Sequence, residues 1–151
     1  MKRKIVTETI SCMLIVLFVY AAISKLLDYG TFLLQLGKSP FITVFAPFIV
    51  WALPLIELAC VALLLFRKTK IWGLYGSLFL MTLFTAYIYS MLHYSYYVPC
   101  SCGGILSKMS WTQHLWFNIA FVLLSILGIL LEARLPMNTI IKRRKLQASF
   151  S

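Results

Sequence analysis

Charge is scarce in this chain. Only 12% of its 151 residues are Asp, Glu, Lys or Arg, and just four are acidic, whereas a soluble domain carries about a quarter charged residues. That excludes an ordinary water-facing globule. Glycine and proline are also few, at 7 and 5, and no repeat or low-complexity stretch occurs, which excludes collagen-like and linker-like organisation. A 15% share of aromatic residues excludes disorder. The length leaves no room for a second domain of ordinary size, so one domain over 1–151 is expected.

What the chain has instead is apolar bulk: 62% hydrophobic residues and a mean hydropathy of +0.91. Four apolar stretches, 9–27, 45–66, 71–92 and 111–131, each approach the roughly 20 residues that cross about 30 Å of hydrocarbon. Backbone polar groups in lipid must be satisfied within the segment, so helices are expected. The fold class is therefore all-α: a polytopic membrane protein built as an up-down bundle of four transmembrane helices. Ser110 and Gln113 form a capping box at the start of the fourth helix, and Pro54 lies inside the second, where a kink is expected.

The basic residues give an orientation. Eleven of the fourteen Lys and Arg lie before the first segment, between the second and third (Arg67, Lys68, Lys70), or in a basic tail at 134–151. Lys25, Lys38 and Lys108 fall on the other side. The positive-inside rule then places both termini in the cytoplasm and the 28–44 and 93–110 loops outside. The net charge of +10 follows this topology and not a basic face on a soluble fold, so no nucleic-acid partner is expected; the lipid bilayer is. The basic start and Ala21-Ala22 have the form of a secretion signal, but the long apolar run with nothing soluble after it reads as a retained helix.

The second outward loop contains Pro99-Cys100-Ser101-Cys102-Gly103-Gly104. Cysteines on that face meet an oxidising compartment. At i and i+2 their Cα atoms sit near the upper limit for a disulfide, about 7 Å, and strained, exposed disulfides are the labile ones. Such a bond closes almost no loop and adds little as a staple. Exchange chemistry is the favoured reading, with Cys100 and Cys102 as catalytic residues. His93, His114, Lys108 and the start of the fourth helix could lower a thiol pKa. A zinc set of both cysteines with His93 and His114 is the alternative, and an inert pair the plainest one; no metal is expected.

Inside the apolar segments, Glu57 lies near the middle of the second. An ionised carboxylate there has to be paired or face a polar cavity, which makes it a candidate proton or quinone ligand or a polar packing contact. Lys25 and Asp28 form a local i, i+3 pair, unless Lys25 snorkels to the interface. His114, Asn118 and Ser125, and Thr82, Thr85, Tyr89 and His93, read as polar stripes that glue helices together. Cys12 and Cys60 lie at similar depth, as a thiol relay or as small apolar residues.

The stretch Val98-Pro99-Cys100-Ser101-Cys102-Gly103-Gly104, with Ser110-Trp111-Thr112-Gln113-His114-Leu115 and Asn118, resembles the methylamine-utilisation protein MauE and DoxX-like redox-associated membrane proteins. Ser24-Lys25-Leu26-Leu27-Asp28-Tyr29 and Pro54-Leu55-Ile56-Glu57 extend the resemblance through the fourth helix. It implies a bundle comparable to vitamin K epoxide reductase, in the bacterial inner membrane. It also implies a role in maturation of a periplasmic protein beside a thioredoxin-like partner, as in methylamine utilisation. What carries over is the Cys100/Cys102 pair as redox centre, with Lys25, Asp28 and Glu57 as accessories. Quinone-linked disulfide generators use two cysteine pairs, and this chain has one outward pair.

The expected function is thus thiol–disulfide exchange through a periplasmic Cys-x-Cys, a possible oxidoreductase activity. Two other classes stay open: a non-catalytic membrane assembly or chaperone subunit, and a small-molecule or quinone-binding protein centred on Glu57. Activity that survives loss of both cysteines argues for one of these.

Overall fold

A computed structural model describes residues 2–38, 43–94 and 110–149. Five α-helices occupy them: α1 (Lys2–Leu27), α2 (Tyr29–Lys38), α3 (Ala46–Leu65), α4 (Lys70–Tyr94) and α5 (Trp111–Ser149), with a 3₁₀ turn at Thr43–Phe45 before α3. No strand occurs among the described residues. Four helices are long and apolar enough to cross a membrane: Arg3–Leu27, Thr43–Leu65, Lys70–Tyr94 and Thr112–Ala133. The chain is an all-α polytopic membrane protein.

The helices pack as a closed ring. α1 lies against α3 and α5, and α4 lies against the same two. No more than a third of each span is buried inside the bundle. Phe48, Trp72, Phe79 and Trp116 are among the many large apolar side chains that face outward. A surface of this kind is stable against lipid and not against water. Ile10, Leu14 and Phe18 of α1 meet Leu64, Leu74 and Met81 in the core, recurring at the four-residue spacing of one helix face.

The α3–α4 hairpin depends on two glycines. A Cβ on Gly73 would stand 2.8 Å from the backbone nitrogen of Leu64, and one on Gly76 would stand 2.9 Å from Sγ of Cys60. With no lipid-exclusion force between helices, such close approach supplies the packing energy. The hairpin turn is closed by Thr69 Oγ1, which donates to Leu63 O at 3.0 Å.

α2 corrects the reading of 28–44 as a plain loop. Asp28 is a single turn residue, and helical bonding continues across it: Asp28 N donates to Ser24 O and Phe32 N to Asp28 O. α2 then runs back onto α3, burying Phe32 and Leu36 against Ala46 and Val50. The fourth membrane helix also runs on past 131, through Ser149.

Candidate functional site

Lys25 and Glu57 meet inside the bundle. Lys25 Nζ lies 2.6 Å from Glu57 Oε1, with the lysine side chain 11% exposed and the glutamate fully buried. The direction of helical side chains accounts for the pairing. Every Cα–Cβ bond tilts toward its helix N-terminus, and α1 and α3 run antiparallel, since the start of α1 lies beside the α3–α4 turn. Lys25 therefore leans toward the basic end, donating to Ala21 O at 3.3 Å, while Glu57 leans the other way to meet it.

This overturns the local Lys25–Asp28 pair. Asp28 is exposed at the α1–α2 turn and forms no ion pair among the described residues. Nor does Lys25 snorkel outward, because a buried carboxylate on the neighbouring helix is the stronger attraction. Two aromatic rings complete its surroundings: Phe84 of α4 with its centroid 5.6 Å from Nζ, and Phe32 of α2 at 6.0 Å. A cation held over ring faces gains from their quadrupoles, more so when desolvated. Glu57 Oε2 is buried with no hydrogen-bond partner among the described residues.

α5 brings further polar groups. Ser110 and Gln113 cap it reciprocally, Gln113 N donating to Ser110 Oγ at 3.3 Å and Ser110 N to Gln113 Oε1 at 3.0 Å. One turn on, His114 is buried, within electrostatic reach of Lys25, and Asn118 Nδ2 donates to His114 O at 3.2 Å. His93 goes elsewhere. It is exposed on the last turn of α4, bonded to Tyr89 O at 3.1 Å and stacked on the Tyr89 ring at 4.2 Å. Of the predicted accessory residues, then, the fold gathers Lys25, Glu57 and His114, and leaves Asp28 and His93 on the surface.

The predicted stripes divide in the same way. Asn118 and Ser125 are buried, whereas Thr82 and Tyr89 are exposed. Thr82, Thr85 and Ser125 each donate to the carbonyl four residues back in their own helix. Cys12 is exposed and Cys60 buried, both as free thiols. Cys60 packs on Gly76, which makes it a packing residue.

Cys100 and Cys102 lie outside the described residues.

Sequence comparison adds one finding. A family model described as methylamine utilisation protein MauE matches residues 3–131. No curated protein and no solved structure matches the chain.

Proposed function

The chain belongs to the MauE family, and from that premise we propose that it exchanges thiol–disulfide equivalents through Cys100 and Cys102 with a periplasmic thioredoxin-like protein. A thiolate of the partner attacks one sulfur of the Cys100–Cys102 disulfide and forms a mixed disulfide, releasing the other cysteine as a thiolate. The partner's second thiolate then displaces the bound cysteine. The partner leaves as a disulfide, and this chain holds two thiols; the reverse sequence reduces the partner. The physiological setting is maturation of a periplasmic protein, with both termini cytoplasmic in the bacterial inner membrane.

One observation carries this reading. The chain matches the MauE family model over residues 3–131, and its Cys100-Ser101-Cys102 spacing would make any disulfide between the two strained and labile. Serine variants at Cys100 and at Cys102, expressed in cells, test it by trapping. A mixed disulfide captured by at least one variant supports exchange, and capture by neither refutes it. A fully active Cys100→Ser/Cys102→Ser double variant points to the assembly-subunit reading.

The buried Glu57 Oε2 favours a second reading, in which the Lys25–Glu57 pair binds a small polar-headed molecule such as a quinone. Activity lost in Glu57→Gln but kept in the cysteine double variant favours it.

A further inference from the structure

At the opposite end of the bundle, a groove of about 520 Å³ is lined by Lys4, Ile5, Glu8, Thr9, Cys12 and Arg67. Its volume falls within the range of small-ligand sites, roughly 300–1,000 Å³. Its lining changes character along α1. Lys4 and Arg67, both exposed, lie on the first turn of α1 and in the α3–α4 turn, and the exposed Ile5, Thr9 and Cys12 continue the wall along α1. Thr9 turns its hydroxyl back onto Ile5 O at 3.0 Å, so that wall presents mainly carbon and sulfur.

The one acid in the groove is already engaged. Glu8 Oε1 receives Lys70 Nζ at 2.6 Å, and the lysine side chain is 5% exposed. Lys4 and Arg67 are close enough to act on Glu8 electrostatically, yet neither forms an ion pair among the described residues. The groove therefore carries two cations with no ion pair among the described residues, beside an apolar wall. It lies where two helices long and apolar enough to cross a membrane, Arg3–Leu27 and Thr43–Leu65, have their ends.

We propose that this groove binds an anionic phospholipid, its phosphate between Lys4 and Arg67 and the start of an acyl chain along Ile5, Thr9 and Cys12. The planar guanidinium of Arg67 suits two phosphate oxygens at once, and Lys4 adds a point charge from the other wall. The Glu8–Lys70 pair offsets part of the carboxylate repulsion that would otherwise oppose the headgroup, and it ties α1 to α4 beside the groove. A free phosphate would use the cations and gain nothing from the apolar wall. The site is independent of the thiol exchange proposed above.

The full chain in nanodiscs tests this, with phosphatidylglycerol against phosphatidylcholine and bound lipid read by native mass spectrometry. Wild type is expected to retain phosphatidylglycerol selectively. Lys4→Gln/Arg67→Gln should weaken retention by up to about thirtyfold, since each surface Lys or Arg adds roughly a fivefold gain. Lys142→Gln/Arg143→Gln, with the same charge change in the tail, should retain the lipid. Thr9→Trp, which fills the groove and leaves the charge unchanged, should lose it. Equal loss in the tail variant, or undiminished retention in Lys4→Gln/Arg67→Gln or Thr9→Trp, overturns the site. Displacement by inorganic phosphate at the lipid's own concentration overturns the lipid as its occupant.

Discussion

The Lys25–Glu57 pair invites a double-mutant cycle. Lys25→Met keeps the length of the side chain and removes its charge, leaving a fully buried carboxylate with no cation beside it. Breaking a buried pair from one side costs about 3–5 kcal/mol, whereas replacing both members by apolar residues is often neutral or stabilising. Lys25→Met is therefore expected to lose about 3–5 kcal/mol, and Lys25→Met/Glu57→Met to recover to within about 1.5 kcal/mol of wild type. Glu57→Met alone should cost less than Lys25→Met. Its orphaned lysine is 11% exposed, still rests on Phe32 and Phe84, and has a long stem able to seek the interface. Reversible denaturation of the detergent-solubilised protein reads all three. Costs that add to within about 0.5 kcal/mol would refute the interaction. A stable double variant that no longer exchanges thiols in cells would assign the pair to function and not to packing.

Gly73→Ala should destabilise the α3–α4 hairpin by about 1–3 kcal/mol, as overpacking does, because the new methyl meets the immovable backbone of Leu64; denaturation against wild type measures it. In Cys100→Ser/Cys102→Ser, N-ethylmaleimide should spare the buried Cys60 of the folded protein until denaturation. Mass spectrometry counts the adducts, and two on the folded chain would contradict the packing of Cys60 on Gly76.

The spanning helices were legible because each is a long apolar run and lipid permits little but helix. The capping box at Ser110 was legible for a local reason too: donor and acceptor lie three residues apart, and both bonds formed. α2 was missed because a ten-residue helix is short of a span, although Phe32, Leu33 and Leu36 already have the spacing of an apolar helix face. The Lys25–Glu57 contact was missed because it joins positions 32 residues apart, and the i, i+3 partner Asp28 was the nearer choice along the chain. A signal existed. Two opposite charges in neighbouring apolar helices that run antiparallel lean toward each other by the Cβ tilt alone.

The two ion pairs also explain why α1 holds its place. Glu8 and Lys25 are seventeen residues apart, about 26 Å along a helix, close to the roughly 30 Å of hydrocarbon. Glu8 ties α1 to α4 at the basic end, and Lys25 ties it to α3 further in. An apolar helix face can slide by a turn against another with little loss, since lipid tails are as apolar as its packing partners. Two ion pairs to different helices forbid that slide, because a shift that preserves one contact breaks the other. The register of α1 therefore fixes both the width of the basic groove and the depth at which Lys25 meets Glu57.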